Sequence, residues 1–176
     1  GEVWGVAAHP EKPEMVSVCS DKTLRVWSTA AKQQVRWCSL YEEARCVAIH
    51  PSGSHCAVGL QSGSVTILSY DRLIKVAFCN DCVDSVSDVK FSPDGTMLAV
   101  GAHDNCVYVY SVSGEQYNRM GVCRGHSSYI THIDWSADSK SLRSTCGAYE
   151  LLYWDTSSGE PVTQHKSASL LRHVVW

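Results

Sequence analysis

Four short motifs follow one another in the middle of the chain: VSDVKFSPDG at residues 86–95, LAVG at 98–101, HDN at 103–105 and VYVY at 107–110. Similar series occupy residues 3–27, 44–68 and 130–154. Two sets of landmarks measure the spacing: Pro10, Pro51, Pro93 and Ala137 hold one position, and Trp27, Leu68, Tyr110 and Trp154 hold another. Both sets advance by 41, 42 and 44 residues, so the chain is a fourfold repeat.

Each repeat unit predicts four short strands, A to D. The SPDG motif places Pro and Gly where a turn between strands A and B needs them. Strands such as VYVY are apolar on both sides of the pleat, which requires a sheet packed on both faces. Strand D is predicted at residues 34–40, 73–79, 117–123 and 161–165. A period of about 40–45 residues with four strands per unit is typical of WD40 propeller blades.

The predicted fold class is all-β: a WD40 β-propeller with four blades of four antiparallel strands. The blades are predicted at residues 1–41, 42–82, 83–125 and 126–169, and residues 170–176 begin a truncated further element. Because propellers of this type have 4–8 blades, two arrangements are open. We favour an incomplete arc of a larger ring over a compact four-bladed protein. Such an arc would have an exposed apolar face at each end and would be poorly soluble when expressed alone.

Composition indicates a soluble globular protein: 44% of the 176 residues are hydrophobic, 19% are charged and the net charge is −3. No apolar run approaches the roughly 20 residues that span a bilayer, and the first residues lack a signal-peptide pattern. Because the chain does not begin with Met, we expect it to be a piece of a longer one. Nine cysteines, an odd number and mostly on predicted strands, favour reduced thiols and a cytoplasmic location.

No motif in the sequence indicates catalysis, a cofactor or a metal, and we predict that the protein is not an enzyme. Cys79 and Cys82 form a lone CxxC, and a structural zinc site needs four ligands. The scattered basic residues of a chain with net charge −3 do not supply a nucleic-acid surface, so no nucleic-acid partner is expected. A propeller enzyme remains an alternative only if the structure shows converging titratable groups.

Typical WD40 blades contain a buried hydrogen-bond chain of His, Ser or Thr, Asp and Trp. Counting along the repeats places Cys19, Ala102 and Cys146 at the Ser/Thr position and Ala148 at the Asp position of the fourth unit. No unit then keeps all four groups, so the blades are atypical. The surviving members, to which we assign a structural role, are Asp21, Trp27, Asp104, His126 and Trp154.

The candidate partner-binding residues lie in the loops between strands D and A and between strands B and C. Propellers hold these loops rigidly and commonly bind partners with them. Arg45 and Tyr129 are the first candidates because Arg and Tyr often anchor interfaces. Lys22 and His103 are the second pair, and an exposed Arg suits an acidic partner surface.

Several strings go beyond the generic repeat, and GHSSYITH at residues 125–132 is the most specific of them. Together they resemble the echinoderm microtubule-associated protein-like family in order and over essentially the whole chain. The strings lie at residues 2–10, 91–95, 98–110, 125–136 and 149–154. One departure is Ala102, where the family resemblance leads us to expect Ser.

The resemblance implies a tandem pair of atypical propellers. This chain would be part of the second propeller, and it would need the remaining blades of that propeller to complete the ring. The resemblance also implies a cytoskeletal protein of the cytoplasm that binds tubulin or microtubules and modulates microtubule dynamics. Independently of the resemblance, the propeller loops are expected to bind other proteins, and no membrane partner is expected because no apolar run is long enough to span a bilayer. Because fold alone does not name a partner, a general WD40 interaction scaffold, such as a signalling or ubiquitin-ligase adaptor, remains the alternative.

Overall fold

The regular structure of residues 1–157 and 163–164 consists of β-strands. The structure is a computed structural model, and it describes residues 1–157, the backbone of 163–164, and residues 171–176. The strands are β1 (Val3–Ala8), β2 (Glu14–Cys19), β3 (Thr23–Ser28), β4 (Gln33–Ser39), β5 (Ala44–Ile49), β6 (His55–Leu60), β7 (Val65–Ser69), β8 (Lys75–Cys79), β9 (Val86–Phe91), β10 (Met97–Ala102), β11 (Cys106–Ser113), β12 (Gln116–Arg124), β13 (Ile130–Trp135), β14 (Ser141–Cys146), β15 (Leu151–Asp155) and β16 (Thr163–Gln164).

Consecutive strands pair into four antiparallel sheets: β1–β4, β5–β8, β9–β12 and β13–β16. This confirms the predicted all-β propeller segment with one sheet per repeat unit. Of the strand predicted at residues 161–165, Thr163–Gln164 pairs with β15, and residues 161, 162 and 165 lie outside the described residues.

The turn between the second and third strands repeats in its backbone conformation as well as in its position. Lys22, Asn105 and Tyr149 have φ values of 60°, 67° and 63°, and Gly63 occupies the corresponding position with φ 93°. These four positions advance by the same 41, 42 and 44 residues as the sequence landmarks. Because non-glycine residues rarely adopt positive φ, the same strained turn in every unit is a feature of the repeat.

Apolar side chains fill the space between neighbouring sheets. The first interface contains Val16, Val18, Leu24 and Val26 of the first sheet against Cys56, Val58, Leu60 and Leu68 of the second. The middle and last interfaces are built in the same way, and all six residues of β10 are buried. Strands with two apolar faces are therefore explained by sheets that pack on both sides.

The first strands of the four sheets lie side by side, so the sheets are arranged about a common axis. β1 packs on β5, β5 on β9, and β9 on β13. Together these strands line one concave surface, a cavity of ≈ 310 Å³ that Val6, Cys46, Asp88 and Thr131 border. The fourth strand of each sheet is the farthest from this surface.

The interfaces leave no space for a side chain at two repeated glycines. A Cβ on Gly59 would lie 2.5 Å from Val86 Cγ1, and a Cβ on Gly101 would lie 2.6 Å from Ile130 Cγ2. Val86 and Ile130 belong to the first strand of the next sheet. Glycine therefore lets the first strand of one sheet approach the second strand of its neighbour closely.

The two outer sheets of the described chain each have an open face. On the first sheet, Val6 and Trp37 are each 58% exposed. On the last sheet, Leu151 is 46% exposed, and Trp176 covers part of that face by lying over the Arg143 guanidinium at 4.6 Å and beside Tyr153. The described chain is thus an arc whose two ends present apolar surface.

Candidate protein-binding surface

The loops that precede each first strand and the turns between second and third strands meet on one edge of the arc, because antiparallel strands return there. We call this edge the loop face; it comprises residues 20–22, 40–43, 61–64, 80–85, 103–105, 125–129 and 147–150. Backbone hydrogen bonds tie each loop to its turn, as in Gln61 N to Glu43 O (2.9 Å) and Gly147 N to Tyr129 O (2.9 Å). The loop face is therefore held by the strands beneath it.

Arg45 is fixed in place at the start of β5. Its guanidinium lies 4.5 Å from the centre of the Trp4 ring, its Nε donates to Gln61 Oε1, and its Nη2 lies 3.9 Å from Glu43 Oε2. The stacked cation forms one wall of a groove of ≈ 480 Å³ that His103 and Asp84 also line. A guanidinium with its face against an aromatic ring keeps its remaining N–H groups available to an acceptor.

His103 and Tyr129 extend this groove towards the fourth sheet. Their ring centroids are 4.8 Å apart, and Tyr129 is 46% exposed. The Tyr129 ring lies against Gly147, where an added Cβ would be 2.6 Å from Cε1. Tyr149, on the turn beside them, is 99% exposed. The His103 and Tyr129 rings are thus held by their contacts, and Tyr129 and Tyr149 remain accessible.

The structure brings three of the four candidate residues together. Arg45 and His103 line one groove, and Tyr129 contacts His103. Lys22 is exposed on the turn of the first sheet and does not line that groove. Sequence reasoning missed Trp4, which stacks on Arg45 from a different sheet, and no local pattern in the sequence signals that contact.

The placement of the Ser/Thr position at Cys19, Ala102 and Cys146 is wrong. In the first sheet Trp27 Nε1 donates to Ser17 Oγ at 2.8 Å, and in the fourth Trp154 Nε1 donates to Ser144 Oγ at 2.8 Å. The true position lies two residues earlier on the strand. Residues two apart point to the same face of a strand, so counting alone did not separate them.

The second and third sheets replace this chain with other contacts. Their Ser/Thr positions, ten residues before Leu68 and Tyr110, hold Val58 and Val100. Asp104 instead accepts hydrogen bonds from Val83 N (2.9 Å) and the Tyr108 hydroxyl (2.7 Å), which ties loop to turn. Asp21 accepts from Thr23 and Arg25, and these bonds hold the pKa of its carboxyl below the usual value.

The fourth sheet retains a fuller hydrogen-bond chain than the sequence suggested. His126 Nε2 lies 2.7 Å from Ser144 Oγ, which also accepts from Trp154. Glu150 supplies the carboxylate in place of Ala148: it accepts from Ser127 N and Ser127 Oγ, each at 2.8 Å. The Ser127 backbone N–H is the main reason that the pKa of Glu150 falls to about 2. An acidic residue two positions beyond the expected one was the missed signal.

The nine cysteines are all free thiols, and eight of them are buried. Cys79 and Cys82, the CxxC pair, are 5% and 7% exposed. Burial raises the pKa of Cys79 to about 11, so its thiol stays protonated and unreactive at neutral pH. In the described residues no helix has the length and apolarity required to cross a bilayer.

The radial sheets, the repeated turns and the loop face define a segment of a WD40-type β-propeller. A family model described as the echinoderm microtubule-associated protein second beta-propeller matches residues 3–176. The chain therefore belongs to the echinoderm microtubule-associated protein family, as part of its second propeller.

Named relatives agree with this assignment. Echinoderm microtubule-associated protein-like 2 of Rattus norvegicus is 44% identical over 99% of this chain. Echinoderm microtubule-associated protein-like 4 of Mus musculus is 40% identical over 94%, and protein-like 1 of Rattus norvegicus is 39% identical over 99%. The chain spans 27%, 17% and 21% of the lengths of these three relatives.

Proposed function

We propose that the protein containing this chain binds tubulin or microtubules without catalysing a reaction, and that it modulates microtubule dynamics from the cytoplasm and cytoskeleton. The names of the relatives, which are microtubule-associated proteins, support this proposal. The rigidly held loop face supports a role in protein binding, because loops positioned by a rigid scaffold commonly carry recognition.

The observation that carries the proposal is the groove that Arg45 and His103 line, with Tyr129 in contact with His103 at its side. This region combines a fixed cation with two aromatic rings in tilted contact, and Tyr149 adds open aromatic surface on the adjacent turn. Arg and Tyr in such positions commonly anchor interfaces, and an available guanidinium pairs well with a carboxylate. Because Asp84 also lines the groove, its complement is a partly apolar protein surface that offers a carboxylate at the position of Arg45.

The open faces of the first and last sheets support a second part of the proposal. Val6 and Trp37 at one end and Leu151 at the other are apolar groups of the kind that pack against a neighbouring blade. We propose that further blades of the same propeller cover both faces and complete the ring around the concave surface.

The test uses the full-length protein in a tubulin pull-down and a microtubule co-sedimentation assay. Arg45→Glu reverses the charge in the groove and should weaken tubulin retention strongly. Lys140→Glu makes the same change in charge on an exposed turn at the opposite edge of the arc and should leave retention unchanged. A wild-type protein that neither retains tubulin nor co-sediments contradicts the proposal and favours a general interaction scaffold.

A further inference from the structure

Three side chains of different chemistry converge under the loop face of the fourth sheet. His126 lies in the loop before β13, Cys146 ends β14, and Glu150 lies in the turn before β15. One ligand atom from each side chain lies within 4.8 Å of the others. In the described part of the chain, this is the one such group of three.

Two of the three separations between these ligand atoms suit a tetrahedral metal ion, and the third, from His126 Nδ1 to Cys146 Sγ, is within 4.8 Å. Zinc bonds of about 2.0–2.3 Å to N, O and S place ligand atoms about 3.3–3.6 Å apart at a tetrahedral centre. The Cys146 sulfur lies 3.2 Å from Glu150 Oε2, and His126 Nδ1 lies 3.5 Å from the same oxygen. An ion could therefore enter with small shifts of the side chains.

Cys146 Sγ donates to Glu150 Oε2, which also accepts from Ser127 N, so among the three proposed ligand atoms it is His126 Nδ1 that lacks a hydrogen bond. The His126 side chain is fully buried, and its Nδ1 has no hydrogen-bond partner. The 3.5 Å to Glu150 Oε2 exceeds the 2.7–3.2 Å of an N–H···O bond. A buried polar atom without a partner is costly and requires an explanation.

We propose that His126 Nδ1, Cys146 Sγ and Glu150 Oε2 bind a zinc ion, with the fourth coordination position open towards the loop face. Nitrogen, thiolate and carboxylate together suit Zn²⁺ better than Mg²⁺ or Ca²⁺. Binding displaces the thiol proton of Cys146 into solvent, so a thiolate and a carboxylate balance the two charges of the ion.

The surrounding hydrogen bonds are compatible with this arrangement. With Nδ1 on the metal, His126 Nε2–H donates to Ser144 Oγ at 2.7 Å, and that oxygen has a second lone pair for Trp154. Such supporting contacts orient a ligating imidazole.

The ion would join the loop before β13 to the turn that carries Tyr149. A water molecule or an acidic or imidazole side chain of a bound protein would fill the open position. The zinc site would then stiffen the fourth sheet's part of the loop face, and a partner's side chain could contribute to it directly.

The test is a cobalt titration of the full-length protein, stripped of metal with a chelator and kept reduced. Co²⁺ bound through Cys146 gives a thiolate-to-metal charge-transfer band, which excess Zn²⁺ removes. Cys146→Ser should abolish that band, and Glu150→Gln should keep a weaker-binding version of it. Cys19→Ser is the matched control, since Cys19 holds the same repeat position beside Arg25 and should change nothing.

Circular dichroism establishes that each variant is folded. If Cys146→Ser destabilises the sheet, Glu150→Gln provides the second variant, because glutamine preserves the shape of the side chain. Thermal melting gives a second measurement: Zn²⁺ should raise the Tm of wild type and Cys19→Ser and leave Cys146→Ser unchanged. A wild-type protein without the band, or a band that survives in Cys146→Ser, overturns the proposal.

Discussion

Gly101→Ala is expected to destabilise the interface between the third and fourth sheets by steric conflict. The new Cβ would lie 2.6 Å from Ile130 Cγ2 and 3.0 Å from Ile133 Cδ1, both in the first strand of the next sheet. Ile130 is fully buried, and protein cores are packed with few voids. The two sheets must therefore separate locally or Ile130 must leave its preferred rotamer.

The magnitude follows from two opposing effects. Overpacking a well-packed core costs about 1–3 kcal/mol. Replacing glycine by alanine at an ordinary φ returns about 0.4–1 kcal/mol by restricting the unfolded chain. The expected net loss is about 1–2 kcal/mol in the free energy of unfolding.

The assay is a double-mutant cycle with Ile130→Ala, read by urea unfolding of the full-length protein. Ile130→Ala alone should cost about 2–5 kcal/mol through the cavity it leaves. In the double variant the alanine at position 101 has room, so the combined loss should be smaller than the sum by about 1 kcal/mol or more. In the first interface the large and small residues are exchanged: Val18 holds the repeat position of Gly101, and Ala44 holds the repeat position of Ile130.

Gly114→Ala provides the control for this cycle. An added Cβ there meets nothing within 4 Å, and only the positive φ of 59° resists the change. Its effect should add to that of Ile130→Ala without coupling. If Gly101→Ala and Ile130→Ala were equally additive, the steric account of the repeated glycines would be refuted.

Three further changes test other parts of the structure. Ser144→Ala should lower the free energy of unfolding by about 1–3 kcal/mol, because it leaves the fully buried Trp154 indole N–H without an acceptor. Ser17→Ala should lower it less, because Trp27 is only half-buried, and urea unfolding compares the two variants. Asp88→Asn should raise the urea midpoint at pH 7, because burial raises the pKa of the Asp88 carboxyl and its ionised form therefore opposes folding. The stability difference between the variant and wild type should disappear as the pH falls through the raised pKa towards the ordinary 3.8, because the wild-type carboxyl is then protonated. Trp37→Lys, on the open face of the first sheet, should reduce aggregation of the isolated chain in light scattering, and unchanged scattering would count against an apolar end face.

The repeat made most of the fold predictable. Each strand was seen up to four times, so the turn at Pro93 and the strand ending at Tyr110 supported the same reading at Pro51 and Leu68. Two-sided apolar strands such as VYVY indicated packing on both faces, and residues 106–110 of β11 are buried as expected. Redundancy of this kind compensates for the weak signal of any one short strand.

The hydrogen-bond chains were less predictable, because they depend on register and on side-chain reach. Ser17 and Cys19 point to the same face of β2, and the position of Trp27 decides between them. Glu150 reaches the site of a missing Asp from two residues further along the turn. The Arg45–Trp4 stack joins strands of two sheets that are 41 residues apart in the chain, and no local pattern reports such a contact.

If the four sheets are consecutive blades of a larger ring, further blades must cover both end faces. An experimental structure of the full-length protein would show this. We expect Val6 and Trp37 to be buried against one additional sheet and Leu151 against another, with the first strands surrounding a common channel. A full-length structure in which these side chains remain in solvent, or in which β1 closes directly onto β13, would rule out the larger ring.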